Sequence, residues 1–152
     1  MDLDRTDKDI LSHLQNDARL MNKQLSAEVG LAPSSCHERV KRLWSRGVIT
    51  GTATLLDAKK VGFGLGAVIF ANISKDGQIN NDALLDQLID APEIQNIYLV
   101  TGKYDMVISV VARDMDHLKS AVYNALTLNR DIVSFETSII YDQRRDAKLP
   151  IG

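Results

Sequence analysis

Residues 20–51 read LMNKQLSAEVGLAPSSCHERVKRLWSRGVITG, and the interpretation of this stretch decides the architecture of the first third of the chain. Asn22 is placed to cap a short helix in which Leu25 and Val29 share a face, and Gly30 supplies its left-handed stop. Pro33 suits the first turn of a following helix. In that helix Cys36, Val40 and Leu43 recur at i, i+4 and i+7 and form a buried stripe, and Gly47 ends it. Two short helices joined by a tight turn are the layout of a helix-turn-helix, whose second helix enters the major groove of DNA. Ser34, Ser35, His37, Glu38, Arg39, Lys41, Arg42 and Arg46 fall largely outside the apolar stripe and are the candidate DNA-binding residues.

Working outward, Asp4 is placed to cap a preceding helix that runs to about Asn16, with Ile10, Leu11 and Leu14 on one face. The 152-residue chain carries a net charge of −2, which looks wrong for a DNA binder until it is divided. Residues 33–50 hold Arg39, Lys41, Arg42 and Arg46 against Glu38, a local +3, while residues 1–32 carry −2 and residues 51–152 carry −3. Phosphates respond to local charge, and the positive charge sits on the proposed groove-entering helix. Cys36 is the single cysteine. It excludes an internal disulfide, fits a reducing cytoplasm, and on the apolar stripe reads as core. No apolar run is long enough to span a membrane, and the acidic start MDLDRTDKD lacks a secretory segment, so a cytoplasmic protein without membrane association is expected. His37 reads equally as a base-edge contact and as a solvated residue. Trp44 reads as packing rather than base stacking.

Beyond the first fifty residues, Val48 to Leu56 alternates β-branched residues and predicts a strand, followed by a joint, AKKVGFGLG, punctuated by Gly62, Gly64 and Gly66. These glycines precede a strand rather than open a helix, so they do not read as a phosphate loop. From Leu65 the pattern is strand (67–73), helix (82–91), strand (94–100), strand (106–112), helix (116–128), strand (133–141). The βαββαβ order is ferredoxin-like, an antiparallel sheet with both helices on one face. Its strands are apolar on both sides, which predicts a homodimer packed through the uncovered face.

The segment Tyr98-Leu-Val-Thr101-Gly102-Lys-Tyr104-Asp105 carries a possible ligand site. The glycine lets a backbone approach a small molecule closely, Asp105 can hold an ammonium, and turn amides with Thr101, Thr137 and Ser138 can hold a carboxylate. These parts suit a zwitterionic amino acid, with Tyr98 and Tyr104 beside them. The alternative is a plain hairpin whose Asp105 caps local backbone. No catalytic set and no metal-ligand spacing is evident, because His13, His37 and His117 are scattered, and no cofactor is expected.

LDRTDKDILSHLQNDAR, LSAEVGLAPSSCHERVKRL, GVITGTATLLDAKKVG, VTGKYDMVISV and FETSI together resemble the leucine-responsive regulatory protein/AsnC family of transcription regulators, over nearly the whole chain. The resemblance implies an α+β protein with an N-terminal winged helix-turn-helix domain (1–50), a linker strand and hinge (51–64) and a ferredoxin-like domain (65–152) for effector binding and oligomerisation. It implies double-stranded DNA and an amino acid or similar metabolite as partners, with the 98–105 turn lining an effector site between dimers. It also implies assembly of dimers to tetramers or octamers. Two positions depart from the family pattern: Ala32 stands where Ser or Thr would cap the third helix, a loss of about 1 kcal/mol, and Thr52 stands where Tyr is common. Two other functions are compatible with parts of the chain. One is a tetrapyrrole decarboxylase-like enzyme on the same fold, disfavoured by the absence of any histidine between His37 and His117. The other is a small-molecule sensor whose first domain mediates protein contacts.

Overall fold

The computed structural model describes residues 2–74, 81–146 and 148–151. The chain divides into two compact units, Met1–Thr54 with Arg145–Gly152, and Leu55–Arg144.

The first unit contains α1 (Arg5–Asn16), α2 (Asn22–Glu28) and α3 (Pro33–Ser45). Asp4 caps α1 as expected, its carboxylate accepting the Asp7 N–H at 2.8 Å. Asn22 proves to be the first helical residue of α2 and not its cap. The cap is Met21, whose N–H donates to the Gln24 side chain. Asn22 instead donates from Nδ2 to the Pro33 carbonyl at 2.7 Å and so ties the start of α2 to the start of α3. That bond lies beside the N-terminus that Ala32 leaves without a side-chain cap. Gly30 and Gly47 both take positive φ, at 67° and 68°, and stop α2 and α3 as expected. Ile10, Leu11, Leu25, Cys36 and Leu43 form the buried core, with Val40, Val48, Ile49 and Ile151 packed against it.

Ile151 marks a departure from the expected boundary, which assigned 65–152 to the second domain. The end of the chain packs on α1 instead. Gln15 accepts the Leu149 N–H at 2.7 Å and donates to the Leu149 carbonyl at 3.2 Å, and Lys148 donates to Asn16 at 2.6 Å. An apolar residue packed against a small three-helix core adds buried surface that such a unit otherwise lacks.

The expected strand at 48–56 is absent. Residues 51–57 carry no regular structure, and Leu55 and Leu56 are exposed. A β-prone run forms a strand only where another strand accepts its N–H and C=O groups, and none of the described strands pairs with this run.

The second unit is a four-stranded antiparallel sheet, β1 (Leu65–Ile73), β2 (Ile94–Leu99), β3 (Met106–Ala112) and β4 (Ile132–Ile140), in the order β2-β3-β1-β4. The helices are α4 (Asn81–Ile89) and α5 (Met115–Val122), the latter running on into a π-helical turn at Tyr123–Thr127. Strict alternation along β1 and β3 points Ala67, Ile69, Ala71, Met106, Ile108 and Val110 inward, where they meet Leu84 and Leu88 of α4, Leu118 of α5 and Leu126. The opposite face presents Val68, Phe70, Val107 and Val111, half-buried and without helical cover. This is the ferredoxin-like βαββαβ arrangement read from the sequence.

Candidate nucleic-acid interface and effector cleft

α3 has two sides with different chemistry. Cys36 and Leu43 are fully buried against the core, and burial pushes the Cys36 thiol up from its ordinary range. Arg39 and Arg42 flank that stripe and turn onto α1. Arg39 Nη1 donates to Asp4 Oδ2 at 2.6 Å and to Asp7 Oδ1 at 2.9 Å, while Arg42 Nη2 donates to Asp7 Oδ1 and Oδ2 at 3.0 and 2.9 Å. The Asp7 side chain is 6% exposed, so this is a buried carboxylate held by two guanidinium groups that reach it from the surface. The Arg39 guanidinium, and then the Asp7 N–H, hold the Asp4 carboxyl below its usual value. Of the expected DNA-binding residues, Ser34, Ser35, His37, Glu38, Lys41 and Arg46 lie together on the exposed surface of α3 and its end. Trp44, read as packing, stays 43% exposed.

In the second unit the β2–β3 connection carries the other candidate site. Gly102 takes φ 122°, a conformation that L side chains rarely adopt, and an added Cβ there would meet open space. The glycine is thus required by the turn itself and not by a close contact within the chain. Asp105 does part of what the plain hairpin reading expected: its Oδ2 accepts the Ile73 N–H at 3.0 Å and fastens the end of β1 to the turn. A cleft of about 500 Å³ opens beside it, lined by Asn72, Ile73, Ser74, Gly102, Lys103, Asp105, Val133 and Ser134.

The remaining expected effector residues lie outside this cleft's lining. Thr101 is exposed in the turn. Tyr98 pairs with Val107 on the uncovered sheet face and is 56% exposed. Tyr104 packs at a tilt against Phe70 with ring centroids 5.2 Å apart, and its hydroxyl donates to Glu136 at 2.8 Å. Thr137 pairs with Ile69 and Ser138 with Val68, so the two side chains sit on opposite faces of β4. Asn72, Ile73, Ser74, Lys103, Val133 and Ser134 are the lining residues that sequence reasoning passed over. Asn72 and Ser134 are register partners, joined by a 3.2 Å hydrogen bond from Nδ2 to Oγ. Lys103 rests its ammonium 4.8 Å from the Tyr104 ring centroid, and Tyr104 with Glu136 behind it holds that ammonium above its ordinary pKa.

His117 is accounted for structurally. Its Nδ1 accepts the Arg113 N–H at 3.1 Å, which leaves Nε2 as the donor to Glu93 at 2.9 Å. Among the described residues no group of His, Cys, Asp or Glu is placed to hold a metal ion, and no helix is long and apolar enough to cross a membrane.

A helix-turn-helix unit joined to a ferredoxin-like unit with an open cleft is the architecture of a DNA-binding regulator. Residues 3–50 match the family described as winged helix-turn-helix DNA-binding, and residues 67–149 match the Lrp/AsnC ligand binding domain. The chain belongs to the Lrp/AsnC family of transcription regulators. It is 35% identical over 150 residues to the transcriptional regulator AzlB of Bacillus subtilis, covering 98% of this chain and 96% of that one. It is 36% identical over 146 residues to the HTH-type transcriptional regulator AldR of Mycobacterium tuberculosis, covering 96% and 82%. Among solved structures, the complex of a transcriptional regulator from Neisseria meningitidis with L-Met superposes with a TM-score of 0.92 at 29% identity, covering 99% of this chain and 97% of that one. These relatives are transcription regulators, so the decarboxylase-like alternative is set aside.

Proposed function

We propose that this DNA-binding regulator senses an amino acid in the cleft beside Gly102 and Asp105, and that the exposed face of α3 reads its operator. The observation that carries the effector reading is the pairing of opposite charges in one cleft. Asp105 keeps one carboxylate oxygen beyond its bond to Ile73, and Lys103 lines the same space. A zwitterion needs both an anion for its ammonium and a cation for its carboxylate. The N. meningitidis relative, bound to L-Met, supports the same ligand class.

The uncovered apolar sheet face supports dimerisation through the second unit. A dimer presents two copies of α3, for which pseudo-palindromic operators are expected. Assembly beyond the dimer, to tetramer or octamer, and a cytoplasmic location belong to this reading. The effector acts by favouring one assembly or DNA-binding state over another, since equal affinity for both shifts nothing. Phosphate contact is assigned to Lys41 and Arg46. Arg39 and Arg42 serve as the buttress that fixes α3 on α1.

The test is calorimetry with the twenty amino acids, repeated on Asp105→Asn for the best binder. The amide oxygen still accepts from Ile73, so the turn persists while the charge is lost. A fall in affinity of at least tenfold is expected. Undiminished binding to Asp105→Asn, or no amino acid bound below millimolar concentration, refutes the effector reading.

A further inference from the structure

We infer that Glu38 is a base-reading residue that demands a cytosine in each operator half-site. This rests on the reading of α3 as the groove-entering helix. Glu38 is the sixth residue of α3, in the half of a recognition helix that meets base edges. It is exposed, and at helical spacing it shares one face with Ser34, Lys41 and Ser45, opposite the buried Cys36 and Leu43.

The arginine buttress makes this carboxylate unusual. Arg42 stands at i+4 from Glu38, the position from which a basic residue ordinarily neutralises an acid on a helix surface. Here the Arg42 Nη2 is turned away and spends its hydrogen bonds on both oxygens of Asp7. No hydrogen bond or ion pair to Glu38 is found among the described residues. The groove face of α3 therefore carries an acid that makes no ion pair, although the exposed Lys41 shares its face at i+3.

An unpartnered carboxylate between two rails of phosphate is repelled unless the groove offers it a donor. Guanine shows O6 and N7, and thymine O4, all acceptors. Adenine offers its N6 amine, but beside the N7 acceptor, whose lone pair opposes a second carboxylate oxygen. Cytosine offers the N4 amine with no acceptor next to it on that edge, and a carboxylate accepts from it without penalty. Glu38 thus works as much by exclusion as by attraction, turning phosphate repulsion into discrimination at one base pair.

The experiment is selection from a random duplex library by the full-length protein, in parallel with Glu38→Gln and Glu38→Ala, at one salt concentration. The wild-type sites should carry a fixed C·G pair in each half-site, and replacing it should weaken binding roughly tenfold or more. Glu38→Ala should lose the preference at that pair alone. Glu38→Gln should move it toward A·T, because an amide pairs with adenine N6 and N7. Both variants should bind non-specific duplex more tightly than the wild type. Equal urea midpoints by Trp44 fluorescence show that the variants are folded. A C·G pair retained at full strength by Glu38→Ala, or no fixed C·G pair in the wild-type sites, overturns the inference while leaving α3 as the DNA-binding helix. Failure of the wild type to bind any duplex at low salt overturns the DNA interface itself and this inference with it.

Discussion

Replacing Asp7 by Ala removes the group on which α1 and α3 are pinned together. The Asp7 carboxylate receives three guanidinium contacts, one from Arg39 and two from Arg42, all between 2.9 and 3.0 Å. Hydrogen bonds to charged groups contribute about 1.5–3 kcal/mol each, but the three share two donors and cannot be added in full. The guanidinium-bearing side chains are 28% and 41% exposed and regain water when the carboxylate goes, and Arg39 keeps Asp4. The net loss is therefore about 2–3 kcal/mol, below the 3–5 kcal/mol typical of breaking a fully buried pair. For a unit of this size that corresponds to a fall in melting temperature of about 10–20 °C. Trp44 is the sole tryptophan and lies in α3, so its fluorescence in urea reports this unit specifically. A double-mutant cycle between Asp7→Ala and Arg42→Ala should show a coupling of at least about 1 kcal/mol. A midpoint for Asp7→Ala within about 0.5 kcal/mol of wild type, or no coupling to Arg42, would refute the view that these arginines are buttresses.

Three further outcomes follow from the same geometry. Lys41→Ala and Arg46→Ala should each lower the salt slope of DNA binding by about one unit, whereas Arg39→Ala should weaken binding through loss of stability with the slope unchanged; titrations of affinity against salt separate the two. Asp4 has a folded pKa below its ordinary 3.8, so the unfolded chain takes up its proton first. Its contribution to stability is complete above that value and disappears as pH falls through the lowered folded value, and Asp4→Asn should flatten the acid limb of Trp44-monitored stability over that interval. Cys36 is fully buried with its thiol pushed up, so alkylation at neutral pH should proceed only as fast as the first unit opens, and a reagent-limited rate equal to that of a free thiol would contradict the packing.

Much of this molecule was legible in one dimension because its information is local. Helix periodicity, the cap at Asp4, the glycine stops at 30 and 47, and strand alternation all act over a few residues, and each predicted element of the second unit lies within a few residues of its observed place. The strand expected at 48–56 failed for the complementary reason: alternation states a preference, but a ladder needs a second strand. The site residues divide the same way. Helical spacing placed Ser34, Glu38 and Lys41 on the surface of α3, whereas the destination of Arg39 and Arg42 depended on α1 bringing Asp4 and Asp7 alongside, 35 residues earlier in the chain. Likewise the register of β4 on β1, set by packing over the whole sheet, brought Ser134 to Asn72 and put Thr137 and Ser138 on opposite faces. By itself the sequence determined the three helices of the first unit, the βαββαβ order of the second and the family. Only the tertiary structure decided which arginines are occupied, which strand residues line the cleft and where the last residues of the chain pack, because these follow from distances between segments that periodicity does not encode.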